Sequence, residues 1–523
     1  MRDLCLDRSR PWEWARGYAG LWRCADRGSW RGARSRVEGS TGAHGRDPLA
    51  RMARKRALKQ FTDKELLEEV ARRHADKHFR EDMTMTDIEL AAEELKGEAG
   101  VPSVALMLSR MKPEKPTGKA CPKCGKRVAV KARDRERTVK SLSGPVTFKR
   151  NYHYCERCQY GFYPVDRRMG LPEEGELTSE MEKRVLDFAV NDVYGECEAR
   201  WGLHYREPVG ETLFRRVVAR VGAQCEVADQ GRLQEELKAR NGAADVLVVE
   251  TDGSQLPIRG EEPWKEAKVG VLYRHDVQAK APIPKSSRYV AIVNGLGEFA
   301  PVLEEALEVE NIDEVGKVAW LGDGAACNWT LADQLCPDAV QILDWHHAVE
   351  HAVDCGKVLL DEESPWLPLW QRRAEELLAE GDPNAVISEI MDCMPLVARG
   401  RGQREALEAL ENLVRYYRTN ANRMKYRLYR EDSLPIGSGA VESAHRHVLQ
   451  TRMKRAGQRW ELKNARRMAR LRAAYRTAGA RRFYSAIRRA HWDTFCAKPR
   501  ARARRQHFRY ARYGTRDMDR CSS

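Results

Sequence analysis

Four cysteines of the 523-residue chain stand in two closely spaced pairs. The pairs read CPKC and CERC, and the alternating stretch VTFKRNYHYC leads into the second pair. Two such knuckles present four thiolates to one tetrahedral zinc ion, and a returning strand brings the second knuckle back to the first. The spacing therefore predicts a zinc ribbon with a structural zinc ion; four unrelated free thiols are the alternative. The predicted ligands are Cys121, Cys124, Cys155 and Cys158.

Two aspartates follow apolar, strand-like segments and precede a glycine. Asp252 ends VLVVETD and Asp323 ends VAWLGD, so we expect both where buried strands emerge at one edge of a sheet. Glu442 lies in the first turns of a helix predicted to begin near Ser438. Three such carboxylates are suited to hold a pair of Mg²⁺ or Mn²⁺ ions for phosphodiester chemistry. Taken singly, each acid is better explained as a strand-end or helix-start residue, whereas the combination with the motif around each acid favours catalysis.

The segments around these acids predict the fold. From about residue 244 the pattern gives three strands, a helix, a strand, a helix and a strand, which is the order of an RNase H-like core. Residues 348 to 430 show helical spacing of apolar side chains, which predicts a helical insertion. The predicted fold class is α/β, with an RNase H-like catalytic core, a helical insertion, an N-terminal zinc ribbon and helical DNA-binding segments.

Composition and pattern divide the chain into eight segments. Met52 reads as an alternative natural start, and Thr62 and Glu65 then predict a capping box. Three helical segments between residues 175 and 225 suit either a helix-turn-helix or a plain three-helix bundle. The predicted segments are a disordered or non-native extension (1–51), a helical N-terminal region (52–117), the ribbon (118–165), a helical DNA-binding region (166–240), the first part of the core (241–347), the insertion (348–432), the final core helices (433–490) and a basic tail (491–523).

The charge balance favours a polyanionic partner. The formal net charge is +15 and the isoelectric point is about 9.2, so nucleic acid is the expected partner. The sequence has no long apolar run and no secretory signal, which predicts a cytoplasmic protein without a membrane span.

Four blocks of the sequence resemble successive signatures of the ISKra-type insertion-sequence transposases, a DDE family related to the eukaryotic Mutator group. The blocks are TDGSQLP, LGDGAACNW, ILDWHHAVEH and GSGAVESAHRHVLQTRMKRAGQRW, and the likeness covers roughly residues 175 to 480. The resemblance implies that Asp252, Asp323 and Glu442 are the DDE acids. It also implies a bacterial, nucleoid-associated mobile-element protein that acts on transposon ends and target DNA as a homo-oligomer. Asp344 and His347 match an Asp-x-x-His signature and are candidates for orienting metal ligands or DNA.

A dense run of cations follows Glu442, interleaved with aromatic residues. Such a run could clamp the phosphate backbone, although a solvated helix face is the alternative. The acids by themselves predict only phosphodiester chemistry, whereas the resemblance implies DNA strand cleavage and strand transfer at element ends. A nuclease without strand transfer and a non-catalytic zinc-ribbon DNA-binding regulator are the alternatives. The DNA-binding candidates are Arg446, Arg452, Lys454, Arg455, Arg459 and Trp460.

Overall fold

The computed structural model describes residues 62–110, 118–172, 175–205, 207–227, 246–260, 263–312, 315–397 and 403–496. The predicted extension at 1–51, the proposed start at Met52 and residues 497–523 of the predicted basic tail lie outside these residues. The chain divides into two compact units, residues 1–84 and 85–523.

In the first unit, helix α1 (Asp63–His78) begins with the capping box that the sequence predicts. The Thr62 hydroxyl accepts a hydrogen bond from the Glu65 amide at 3.3 Å, and the Glu65 carboxylate accepts one from the Thr62 amide at 2.7 Å. This exchange stabilises the helix start because it satisfies amides that have no partner inside the helix.

The second unit opens with helix α2 (Met85–Arg110), which packs on the ribbon strand β4 (Gly144–Cys155). Strand β4 ends at Cys155, as the alternating pattern predicts, and Val139, Phe148, Val165 and Leu171 form a small core around it. The ribbon consists of an antiparallel hairpin, β1 (Lys119–Ala120) and β2 (Arg127–Val128), and an antiparallel sheet, β3 (Val130–Ser141), β4 (Gly144–Cys155) and β5 (Tyr160–Phe162).

A short helix and a three-helix bundle follow the ribbon. They are α3 (Pro164–Arg168), α4 (Ser179–Asn191), α5 (Tyr194–His204) and α6 (Glu211–Val227). In α6, Phe214, Val217 and Val221 are buried, whereas Arg215 and Arg216 are exposed. The bundle is thus present, and the DNA-recognition role of its third helix stays a prediction.

A mixed six-stranded sheet forms the centre of the second unit. Its strands are β6 (Val246–Pro257), β7 (Trp264–Asp276), β8 (Ala281–Pro282), β9 (Arg288–Val293), β10 (Lys317–Gly322) and β11 (Val340–Leu343). Strand β7 pairs antiparallel with β6, β8 and β9, whereas β10 pairs parallel with both β6 and β11. Helix α7 (Leu296–Val309) joins β9 to β10, and helix α8 (Ala326–Leu335) joins β10 to β11. The first residues of β6 are all buried, which explains their continuous apolar sequence.

The segment after β11 is helical, and its described residues contain no strand, as the sequence predicts. It comprises α9 (Trp345–Leu360), α10 (Leu367–Glu380), α11 (Pro383–Val397), α12 (Gln403–Asn420) and α13 (Tyr426–Glu431). The last elements are α14 (Gly439–Ala444), a π-helix (His445–Gln450), α15 (Thr451–Met453) and α16 (Leu462–Cys496). Helix α16 bends at Gly479, whose φ of 72° suits glycine, and it runs past the expected start of the basic tail at residue 491.

One hydrophobic core extends from Leu177, just before α4, to Ile487 in α16. Helix α16 packs against α4, α6 and β9, and its buried Arg472 donates hydrogen bonds to the carbonyl groups of Val190 and Val448. The bundle before the sheet, the sheet itself and the helix after it therefore share one hydrophobic core. Among the described residues, no helix has the length and apolarity that crossing a membrane requires.

Candidate active site and cysteine cluster

Asp252 and Asp323 lie at the same level of two neighbouring parallel strands. Asp323 directly follows β10 as expected, whereas β6 continues through its pairing with β7 to Pro257, so Asp252 lies within the strand and not at its end. In the register of β6 and β10, Glu250 pairs with Leu321, and each aspartate lies two residues beyond its member of that pair. Paired residues of adjacent strands lie about 5 Å apart, and residues two apart point to the same face. The register therefore places the first two predicted acids at neighbouring positions along the two strands.

A hydrogen-bond network fixes Asp323 at the end of β10. Its Oδ1 accepts hydrogen bonds from the Asn328 side chain at 2.8 Å and from the Ala325 amide at 3.0 Å. Asn328, which is buried, in turn accepts a 2.9 Å hydrogen bond from the Thr251 hydroxyl on β6. The Tyr416 hydroxyl donates to the Asp323 carbonyl oxygen at 3.0 Å. These contacts tie the aspartate to both strands, to α8 and to the helical segment.

Asp252 is half-buried beside a histidine that the sequence analysis did not single out. Its Oδ2 lies 3.1 Å from Nε2 of His445, and its Oδ1 accepts a 2.6 Å hydrogen bond from the Gly253 amide. Burial acts to raise the pKa of Asp252, but His445, the Gly253 amide and Lys268 together lower it below its ordinary value. The carboxylate is thus held in its ionised form, which is the form that binds a metal ion.

Glu442 lies in α14, which packs against β6 and β7, and its side chain is exposed. The structure does not bring its carboxylate together with the other two acids. Within the described ranges, the only group of three or more potential metal ligands whose donor atoms all lie within 4.8 Å of one another is the cysteine cluster. The convergence of all three acids on shared ions therefore stays a prediction.

Two buried carboxylates hold the start of the helix that carries Glu442. Glu250 is fully buried and accepts hydrogen bonds from the Val441 amide at 2.8 Å and the Tyr273 hydroxyl at 2.9 Å. Asp344, also fully buried, accepts one from the Ser438 amide. Burial raises the pKa of Glu250 to about 7, despite the opposing effect of the two donors. A glutamate within an otherwise apolar strand was the sequence signal that could have identified Glu250.

Asp344 also caps α9, since its Oδ1 accepts a 2.8 Å hydrogen bond from the His347 amide. The His347 side chain instead lies partly exposed, with Nδ1 3.5 Å from a Glu350 oxygen. His351, one turn further, stacks on Tyr416 at a ring-centroid distance of 3.8 Å, and burial lowers its pKa. The contacts of Asp344 are those of a positioning residue, whereas a role for His347 stays a prediction.

The six DNA-binding candidates fall into different environments. Arg452 and Trp460 are buried: Arg452 donates to the Ala189 carbonyl at 3.2 Å, and the Trp460 indole donates to the Met453 carbonyl at 3.0 Å. Neither side chain presents a surface to phosphate in this structure, so the sequence expectation for these two is corrected.

The other four candidates are at least partly exposed. Arg446 and Arg459 are exposed, and the half-exposed Arg455 is paired with Glu196 at 2.7 Å. Burial lowers the pKa of Lys454, although the nearby Asp252 acts to raise it. Lys454 therefore lies within electrostatic range of Asp252, and its contact with phosphate stays a prediction.

The four cysteines meet as the sequence predicts, and they could bind a metal ion such as zinc. Their sulfur atoms all lie within 4.8 Å of one another, and Cys124 Sγ is 3.7 Å from Cys155 Sγ. Cys121 and Cys155 are buried, whereas Cys124 and Cys158 are partly exposed. A backbone hydrogen bond from Lys126 and contacts with the other cysteines lower the pKa of Cys124 to about 7. Four clustered thiols, one of which ionises more readily than usual, form the donor set of a structural metal site.

Most of the chain matches the model of one protein family. The model of an uncharacterised protein family, UPF0236, matches residues 123–489. This range includes three of the four cysteines, the whole central sheet and Glu442. No curated protein matches the chain.

Proposed function

The chain belongs to the uncharacterised protein family UPF0236, and we propose that it is a DDE-type DNA transposase of the ISKra kind. In this proposal the central sheet is an RNase H-like core interrupted by the helical segment α9–α13. Asp252, Asp323 and Glu442 cut DNA at the ends of an insertion sequence and join those ends to target DNA.

The observation that carries the proposal is the placement of Asp252 and Asp323 at one level of adjacent parallel strands. The strand order supports it. Apart from the two-residue β8, three antiparallel strands are followed by two parallel ones, with helices between the later strands, and this is the arrangement expected of an RNase H-like core. Helix α14 packs against β6, which carries Asp252, so the third acid lies on an element adjacent to the first.

Divalent ions, when bound, would polarise the phosphoryl oxygen and stabilise the leaving oxygen. Asp252 and Asp323 would supply hard oxygen ligands from the sheet, and Glu442 a third from the helix. The bonds to Asn328 and the Ala325 amide hold one oxygen of Asp323 and leave the other without a hydrogen bond to a described residue. Lys454, near Asp252, would contact the phosphate backbone.

The exposed position of Glu442 requires a movement before the acids share a metal ion. Its side chain makes no hydrogen bond or ion pair with a described residue, so rotation about its side-chain bonds breaks no contact. The start of its helix is held firmly by Glu250 and Asp344. We therefore expect the side chain to close on the metal ions and DNA while the helix start stays in place.

The remaining features fit the same proposal. Cys121, Cys124, Cys155 and Cys158 would hold a structural zinc ion in the ribbon, and exposed cations such as Arg446 and Arg459 would contact DNA. A protein that joins two element ends would act as a homo-oligomer in the bacterial cytoplasm, at the nucleoid.

Strand transfer with pre-cut element ends and a target plasmid tests the function. The element ends come from the inverted repeats flanking the coding region. A transposase gives joined products, a nuclease of the same fold gives only cleaved DNA, and a non-catalytic regulator binds without either product. Asp252→Asn and Asp323→Asn should abolish both products and leave DNA binding intact. Asp338→Asn is the matched control, because this exposed aspartate lies just before β11, at the opposite end of the parallel strands. Unaltered cleavage by Asp252→Asn would refute the catalytic assignment.

A further inference from the structure

His445 lies one helical turn after Glu442 and faces Asp252. Its side chain is only 4% exposed, yet neither ring nitrogen makes a well-aligned hydrogen bond with any described residue. Burying an imidazole without such partners costs free energy, so a buried histidine in this state is unusual. The nitrogens are therefore available to a ligand that occupies the space beside Asp252.

The distance between the two side chains also fits shared coordination of one ion. Nε2 of His445 and Oδ2 of Asp252 are 3.1 Å apart, but the N–H direction misses the carboxylate oxygen. Two ligand atoms that each lie about 2.1 Å from one ion, at right angles in octahedral geometry, are roughly 3 Å apart. The pair thus has the separation of neighbouring corners of a coordination shell.

The local backbone directs His445 to this position. The turn that follows Glu442 is a π-helix, and such single-turn segments are frequent at functional sites because they change which face a side chain occupies. His447, two residues later, is exposed, so the same short segment carries one buried and one solvent-facing histidine. Only His445 points toward the acid.

We propose that His445 is a metal ligand of the candidate active site, shared with Asp252, and that the site prefers Mn²⁺ to Mg²⁺. This inference rests on the proposed function and deepens it, since it names the ligand set and the metal. Imidazole nitrogen is a better ligand for transition metals than for Mg²⁺, whereas carboxylate oxygen accepts both. Lys268 and Lys454 also face Asp252, and their positive charges oppose a cation there. We therefore expect weak binding in the absence of DNA.

Electron paramagnetic resonance of Mn²⁺ added to the full, zinc-loaded chain tests the ligand directly. Pulsed measurements detect coupling of the metal to a coordinated nitrogen, so the wild-type chain serves as the sample and no variant has to fold. We expect a nitrogen coupling that disappears in His445→Ala, with Mn²⁺ affinity at least about tenfold lower. His445→Asp should restore binding and shift the preference toward Mg²⁺, because it replaces nitrogen with oxygen. His447→Ala is the matched control and should behave as the wild type.

The outcomes separate this inference from the proposed function. If Mn²⁺ binding depends on Asp252 but shows no nitrogen coupling, and His445→Ala binds normally, His445 is not a ligand and the transposase proposal stands. If Asp252→Asn binds Mn²⁺ as the wild type does, no metal site lies at Asp252, and both proposals fail.

Discussion

Replacing Glu250 with glutamine tests how the candidate site is built. The carboxylate is fully buried, and no lysine or arginine of the described chain forms an ion pair with it. Burial raises its pKa from 4.5 to about 7. Between these two values the native protein binds more protons than the unfolded chain, so its free energy of unfolding falls as the pH rises. At 1.36 kcal/mol per pKa unit, the loss between pH 4.5 and pH 8 is about 3 kcal/mol.

Glutamine keeps an oxygen for the Val441 amide and needs no buried charge. The Glu250→Gln variant should therefore match the wild type at pH 4.5 and exceed its free energy of unfolding by about 3 kcal/mol at pH 8. Urea-induced unfolding at both pH values, without divalent ions, measures the difference. Glu408→Gln, which changes an exposed glutamate on α12, should show no such pH-dependent gain. A variant that is less stable than the wild type at pH 8 would refute the reasoning, because the ionised carboxylate would then be a net source of stability.

Four further changes test other parts of the molecule. Cys155→Ser should reduce the zinc content measured by elemental analysis from about one ion per chain to none, and retained zinc would contradict the cluster. Arg452→Ala should lower the free energy of unfolding by about 2–4 kcal/mol, because it removes a buried side chain with backbone partners. Arg446→Ala should change stability by less than about 0.5 kcal/mol and weaken duplex binding in a fluorescence assay; the reverse pattern would contradict the burial of Arg452. Tyr416→Phe should cost about 1 kcal/mol in urea unfolding, since it removes the hydrogen bond to the Asp323 carbonyl, and an unchanged midpoint would argue against that contact.

Local patterns in the sequence predicted the features that depend on neighbouring residues. The Thr62–Glu65 capping box is confirmed because its two members lie three positions apart and need no tertiary context. The cysteine spacing predicted the observed cluster for a similar reason, since a strand and two tight knuckles suffice to close it. Apolar runs likewise located β6 and β10, but β6 continues to Pro257, so only Asp323 directly follows its strand and Asp252 lies within one.

Features that depend on distant contacts could not be predicted in this way. Glu250 and Val441 are 191 positions apart, and nothing local indicates that a strand glutamate will bind a helix amide. The cation run after Glu442 gave no indication that Arg452 and Trp460 are buried, because both lie beyond the π-helix. That segment breaks the 3.6-residue period, so the faces of later residues cannot be counted from Glu442.

The common interior of α4, α6, the sheet and α16 determines where the protein can be shortened. A fragment that started at Val246 would lose the bundle and leave the apolar side of α16 in contact with water. Such surfaces promote aggregation. Expression of residues 246–523 alone is therefore expected to give insoluble material, whereas a fragment that starts before Leu177 and retains Ile487 keeps all the elements that form that interior.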